Sequence, residues 1–215
     1  MIETRFLRNR KLIPLNKLTD ITIIGLGGIG SFVSQYLTIM GFKNITGYDN
    51  DIMKDHNLSS TAYPTSYIGK NKAIACQDFV NKFGEDWQSF KAIDKKWTSR
   101  DSLSLYNIVC TDDMESRKSC YKAFLKDDIA KVLIDARMGA TTIELVTVTK
   151  NHDDYMKHWI PTDSIDPAPC SMKHSLFATT TIASLTVSQL YNIIVGGQYY
   201  DYIWIETIEV KEEEL

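Results

Sequence analysis

The chain lacks any uninterrupted apolar run approaching the roughly 20 residues of a membrane-spanning helix, which excludes a membrane span. It has no excess of positive charge. Its 24 Lys and Arg stand against 27 Asp and Glu, and the net charge of −3 argues against a nucleic-acid binder, whose surface should be basic. Cysteine is scarce and scattered: Cys76, Cys110, Cys120 and Cys170 occur singly, with no C-x-x-C pair, so reduced thiols are expected rather than disulfides or a zinc site. His56, His152, His158 and His174 show no metal-ligand spacing either. No Ser/His/Asp or Cys/His set suggests nucleophilic catalysis. Internal repeats and low-complexity segments are also missing. The start, "MIETRFLRNR", is too charged for a signal peptide, so a cytoplasmic protein is expected.

What is present is an ordinary globular composition, 44% hydrophobic and 24% charged, over 215 residues, enough for one domain with a real core. "ITIIGLGGIGS" opens the fold: Ile21 to Leu26 read as a buried parallel strand ended by glycines. Ile29, Phe32, Val33, Tyr36, Leu37 and Met40 then recur at helical spacing, with Gly41 at the C-cap position. "NITGYD" completes a β-α-β unit over Ile21–Asp49. A long connection, Asn50 to Ile68, precedes a helix near Lys70–Phe83, and "FKAID" reads as a short strand. Asn107–Thr111 and Lys131–Ala136 read as buried strands around a helix at Met114–Lys126. This alternation predicts an α/β fold with a doubly wound, mostly parallel, Rossmann-like sheet.

The later pattern differs. "TTIELVTVT" alternates as an antiparallel, half-exposed strand would, Ser175–Val195 reads as a helix, and Tyr199–Val210 as a last strand with Tyr202, Trp204, Ile208 and Val210 on one face. The reading is a single domain over 1–215, with an N-terminal arm at 1–18 and a long Pro-bearing loop at 150–173.

Gly25, Gly27 and Gly30 form G-x-G-x-x-G between a strand and a helix, where close backbone approach and free helix N–H groups suit a phosphate. Asp49 ends the second strand nineteen residues after Gly30, where a carboxylate can accept both ribose hydroxyl protons. Asp51 follows it and reads equally as a turn-former. Lys72, with Lys70, falls at a helix start, where the macrodipole disfavours a cation unless an anion lies opposite. Asp112 closes the strand "NIVCT" at the carboxyl ends of the strands and is a candidate Mg²⁺ ligand; it reads alternatively as the N-cap of the helix, paired with Glu115. Arg117, one turn on, reads as a helix-surface charge.

"GLGGIGS", "YDNDIMKDHNL", "GKNKA" and "CTDDMESR", in this order and spacing, resemble the ThiF/MoeB/HesA family, prokaryotic relatives of the ubiquitin-activating enzymes. "DARMGATTIELVTV" and "PCSMKHSLFATTTIASL" are similar to the later strand and last helix of its short stand-alone members, so the resemblance covers about residues 1–190. It implies binding of ATP and Mg²⁺ and adenylation of the C-terminal carboxylate of a small ubiquitin-like or sulfur-carrier protein, or of a short peptide, with release of pyrophosphate. It places Gly25, Gly27, Gly28 and Gly30 at the nucleotide and Asp49 on the ribose. Asp51 and Asn57 line the ATP site, Lys72 contacts phosphate, Asp112 binds Mg²⁺, and Arg117 orients the aspartate loop. It also implies a homodimer in which Arg5, Arg8 or Arg10 reaches the partner's triphosphate.

Two departures stand out. "NLSST" puts Ser60 and Thr61 where the family has arginine and glutamine, removing a phosphate-binding cation that Lys70 is the candidate to replace. The paired C-x-x-C motif of many members is missing, so no zinc is expected. Cys170, just before the last helix, is open to two readings: a thiol that forms a thioester after adenylation, or a structural thiol packing its loop. The other cysteines read as core. Two rival functions remain at this stage. One is a nicotinamide- or flavin-dependent oxidoreductase, which uses the same glycine loop and Asp49; the other is a nucleotide-binding scaffold whose catalysis weakened with the loss at Ser60.

Overall fold

The computed structural model describes residues 6–8, 11–12, 15–84, 90–139, 141–159 and 175–207. Strands β1 (Ile21–Ile24), β2 (Ile45–Tyr48), β3 (Phe90–Ile93), β4 (Tyr106–Val109), β5 (Val132–Met138), β6 (Thr142–Thr149) and β7 (Tyr202–Glu206) form one sheet in the order β3-β2-β1-β4-β5-β6-β7. The first five are parallel, and β6 and β7 are antiparallel to their neighbours. The chain runs outward from β1 to β2 and β3, then returns to β4 on the other side of β1. That topological switch point between β1 and β4 opens a crevice at the carboxyl ends of the strands, where open α/β sheets bind ligands.

Helices α1 (Gly28–Met40), α2 (Lys72–Gly84) and α4 (Leu176–Val195) cover one face, and α3 (Met114–Lys126) covers the other. The apolar stripe read from the sequence is the buried face of α1: Ile29, Val33 and Leu37 are in the core, and Gly41 ends the helix at φ 102° with its N–H on the carbonyls of Leu37 and Thr38. On the α3 face, no helix joins β3 to β4; Trp97 and Leu103 of the connecting segment pack with Ile24, Tyr48, Val109 and Tyr121 instead. The long connection after β2 is anchored by Met53, Tyr63 and Tyr67, which enter the α1–α2 core.

Three expectations are adjusted. The first strand stops at Ile24, because the chain turns at Gly25 with φ 93°. β6 is not half-exposed: Leu145 and Thr147 meet the α4 side, Val146 and Val148 meet the α3 side, and Gln189 of α4 donates to the Thr147 hydroxyl at 3.4 Å. The last strand begins at Tyr202, three residues later than Tyr199, and Ile208 and Val210 lie outside the described residues.

Candidate functional site

The glycine loop is built by close approach. Gly25 has φ 93°, and a Cβ there would sit 2.8 Å from the carbonyl carbon and oxygen of Cys110, so β1 and β4 can converge only over a glycine. A Cβ on Gly30 would overlap the Gly25 carbonyl oxygen, and one on Gly28 would lie 2.9 Å from the Ser60 carbonyl oxygen. Gly27, the residue before α1, faces open space. Three of the four glycines therefore close the turn, and Gly27 leaves the helix N-terminus approachable.

Leu26 ties this loop to the second strand. Its N–H donates to Asp49 Oδ2 at 2.8 Å, and its carbonyl accepts from the Tyr63 hydroxyl at 2.8 Å. Asp49 Oδ1 accepts from the Asp51 N–H at 2.8 Å, so each carboxylate oxygen has one backbone donor and a lone pair to spare. Burial pushes the Asp49 carboxyl above its usual range, against the opposing pull of those two N–H groups and Lys72.

Asp51 and Lys72 meet. The Lys72 N–H donates to the Asp51 carbonyl at 2.8 Å, and Nζ lies 2.9 Å from Asp51 Oδ2, with the lysine side chain 13% exposed and the aspartate side chain 61%. The cation at the N-terminus of α2 thus has its anion within the chain, and that anion is accessible. Lys70 is used elsewhere: it pairs with Asp78 at 3.3 Å and lies over the Tyr67 ring.

Asn71 was missed in the sequence reading. Its amide nitrogen donates to the carbonyls of Asp49 (3.2 Å) and Asp51 (3.3 Å) and to Asp94 Oδ1 (2.7 Å). Its amide oxygen accepts from the N–H groups of Ala73 (2.8 Å) and Ile74 (3.1 Å), capping α2. One side chain therefore joins the ends of β2 and β3 to the start of α2. The available signal was an asparagine immediately before a helix, an N-cap residue by type, adjacent to the candidate lysine.

On the other side of the switch point, Asp112 follows β4 and is exposed, with no hydrogen bond or ion pair among the described residues. The alternative reading of Asp112 as the N-cap is corrected. Asp113 caps α3, accepting from the Glu115 N–H at 3.0 Å, the Ser116 hydroxyl at 2.5 Å and Lys96 at 3.1 Å. Those donors hold the Asp113 carboxyl below its usual range, the Ser116 bond most strongly. Asp112 is left without that duty. Arg117 is not a helix-surface charge, being only 5% exposed. Its guanidinium bonds Asp135, the Ala136 carbonyl at 2.9 Å and the carbonyl of Thr111, the residue before Asp112.

Asn57 has a local role: its side-chain oxygen accepts from the Lys54 N–H at 2.9 Å within the 3₁₀ turn Asp55–Ser60. That turn abuts α1 through the Ser60 carbonyl against Gly28. Ser60 is 6% exposed, and the neighbouring Thr61 hydroxyl oxygen is buried with no partner among the described residues. Among the N-terminal arginines Arg8 is exposed, while Arg5, Arg10 and Cys170 lie outside the described residues. Burial pushes the thiols of Cys76, Cys110 and Cys120 up to about 12, so none is a ready thiolate.

The arrangement offers a helix N-terminus, the Asp49 carboxylate after β2, an accessible Asp–Lys pair and, on the far side of β1, the Asp112 carboxylate after β4. Known proteins share the architecture. The structure aligns with E. coli MccB bound to MccA at TM-score 0.77, with 18% identity, covering 97% of this chain and 69% of that one. E. coli MccB with ATP aligns at 0.73, with 18% identity over 98% of this chain and 70% of that one. PaaA aligns at 0.74, with 15% identity over 92% and 64%. Among sequences, ubiquitin-like modifier-activating enzyme 5 of Dictyostelium discoideum is 24% identical over 124 residues, 50% of this chain and 32% of its own length. The ATP-dependent ubiquitin transferase-like protein Cap2 of Enterobacter hormaechei is 29% identical over 99 residues, 43% of this chain and 16% of its own length. These matches span less than a third of either relative. The ThiF family model, in contrast, matches residues 7–207, nearly the whole chain, and the chain belongs to the ThiF family.

Proposed function

We propose that this protein is an ATP-dependent adenylyltransferase that activates the C-terminal carboxylate of a small ubiquitin-like or sulfur-carrier protein, or of a peptide. The observation that carries the reading is the free Asp112 carboxylate on the strand end beside the glycine loop, opposite Asp49 and the Asp51–Lys72 pair. A hydride-transferring enzyme would use the loop and Asp49 but has no need of Asp112 or Lys72. The ATP bound by MccB and the activating role in the name of the Dictyostelium relative point the same way.

Adenylation requires positioning more than acid–base chemistry. An acceptor carboxylate oxygen attacks the α-phosphorus of ATP, the bond to the bridging oxygen breaks, and pyrophosphate leaves with the electron pair. A carboxylate is nucleophilic without a general base, so the protein must hold two anions together and offset their charge. Asp49 accepts from the ribose hydroxyls, the N–H groups at the start of α1 face the phosphates, and Lys72 exchanges Asp51 for a phosphate oxygen. Asn57 lines the same site. Among the described residues no group of three or more His, Cys, Asp or Glu could hold a metal alone. Mg²⁺ commonly takes one or two protein carboxylates and completes its shell with phosphates and water, so Asp112 fits it. Bound there, Mg²⁺ would offset charge on the triphosphate, while Arg117 holds the loop from behind. A second copy of the chain, supplying Arg5, Arg8 or Arg10, completes the reading as a homodimer.

Ser60 in the place of the family arginine removes one cation from the phosphate side of the site, which lowers the rate expected of it, and Lys70, in a half-exposed pair with Asp78 at 3.3 Å, is the nearby cation free to exchange. The test is exchange of labelled pyrophosphate into ATP in the presence of a small acceptor protein with a free C-terminal tail. Exchange by the wild type, and its loss in Asp112→Ala with the fold intact, is the expected result. ATP binding with no exchange for any acceptor would establish a scaffold instead. Tight NADH binding would overturn the reading in favour of an oxidoreductase.

A further inference from the structure

Behind the crevice lies a cluster of charges that core stability does not explain. Asp135 is 0% exposed on β5, with Arg117 and Arg137 buried beside it. Desolvating such groups commonly costs as much as their attraction returns, so apolar residues of similar volume would serve the core at least as well. Among the described residues the cluster is also incomplete, because Arg137 Nη2 is buried with no hydrogen-bond partner there. A buried polar network short of an acceptor is held less tightly than a complete one.

The geometry of the cluster indicates a role. Asp135 Oδ1 accepts from Arg117, whose other terminal nitrogen holds the Thr111 carbonyl immediately before Asp112. Asp135 Oδ2 accepts from Arg137 Nε at 2.9 Å and from the Tyr155 hydroxyl at 2.8 Å. Both of those partners serve the segment after β6. Arg137 Nη1 donates to the His158 carbonyl at 2.6 Å, and Tyr155 stacks on Tyr121 of α3 with ring centroids 4.2 Å apart. Tyr121 in turn donates to Asp153 at 2.7 Å. Burial, then the charge of Asp135, holds the Tyr155 phenol well above its usual range, so it remains a donor to the carboxylate. One carboxylate thus faces the aspartate loop with one oxygen and the 153–159 segment with the other.

We propose that Asp135 is a positioning residue that couples the seating of residues 153–159 to the orientation of Asp112, so that displacement of that segment alters metal–nucleotide handling in the crevice. The functional half rests on the adenylation reading; the mechanical half does not. The two segments share one carboxylate group, and coupling through such a shared group is measured directly.

Tyr155→Phe is the perturbation, since it keeps the ring stacked on Tyr121 and removes one donor from Asp135. Loss of one hydrogen bond to a charged group corresponds to about tenfold or more in a local opening equilibrium. Amide exchange in the full chain should therefore accelerate by about that factor both at 152–159 and at 110–117, with other core strands unchanged. In the exchange assay the Mg²⁺ concentration for half-maximal rate should rise while KM for ATP stays constant. Acceleration confined to 152–159 would overturn the coupling, as would uniform acceleration across the whole sheet, which marks a purely structural role. If the wild type catalyses no pyrophosphate exchange but the two-region pattern appears, the adenylation reading fails and the coupling stands.

Discussion

Gly25 and Gly69 both hold a left-handed backbone, at φ 93° and φ 85°, but differ in surroundings, which allows strain and steric contact to be separated. An alanine at either position meets the left-handed penalty of about 1–2 kcal/mol. At Gly69 nothing lies within 4 Å of the added Cβ, so Gly69→Ala should cost only that. At Gly25 the Cβ falls 2.8 Å from the Cys110 carbonyl and 2.9 Å from the Thr111 nitrogen. These are backbone atoms at the end of a central strand and cannot rotate aside, so overpacking adds about 1–3 kcal/mol. For a chain of this size 1 kcal/mol moves Tm by about 2–4 °C. Gly69→Ala should therefore lower Tm by about 2–8 °C. Gly25→Ala should fall a further 2–12 °C or so. Because the displaced atoms adjoin Asp112, Gly25→Ala should also weaken ATP binding, whereas Gly69→Ala should spare it. Thermal unfolding and titration calorimetry with ATP on both variants make the comparison. Equal losses of Tm, or unchanged ATP affinity in Gly25→Ala, would refute the close approach of β1 and β4 as the reason for the glycine.

Two further outcomes follow from single side chains. Asn71→Asp keeps the acceptor that caps α2 but loses the donors to the Asp49 and Asp51 carbonyls and sets a second carboxylate against Asp94. It should cost about 1–3 kcal/mol, where Asn71→Ser, retaining a cap without the charge, should cost less; denaturant unfolding orders the two, and the reverse order would remove the repulsion with Asp94. Burial raises the Asp49 pKa above the ordinary 3.8 of a free aspartate, so the folded protein holds that proton longer than the unfolded chain. Its contribution to stability should fall as pH rises from below 3.8 through the folded pKa, then level off. The difference in unfolding free energy between wild type and Asp49→Asn, followed across that window, should decline with pH. A rise would mean that Lys72 and the two N–H donors outweigh burial.

The elements legible in the sequence were those whose cause is local. The run ITII ended by Gly25, the helical stripe from Ile29 to Leu37 and the Gly41 cap each follow from the spacing of neighbouring residues. Helix α3 matches its expected range, Met114–Lys126, for the same reason. β6 was misread because alternation in sequence implied one wet face, and the cover supplied by Gln189 of α4 comes from 42 residues away. The capping assignment at "DDME" failed by one residue, since adjacent aspartates are equivalent in sequence and the donors Ser116 and Lys96 converge on the second.

The sequence by itself determined the alternation of strands and helices, the glycine turn and the set of residue types suited to a nucleotide, because these depend on backbone preference and hydrophobic period. Only the tertiary structure decided which of those residues are bound and which are free. Among the described residues Asp112 is unengaged because Asp113 took the cap, and Lys72 is paired because the β2 end turns back over α2. Arg117 is buried because β5 brings Asp135 to it from 18 residues away, and the same carboxylate receives Tyr155 from 20 residues on the other side. Charge partners in a core are set by which segments pack together, and no local pattern encodes that.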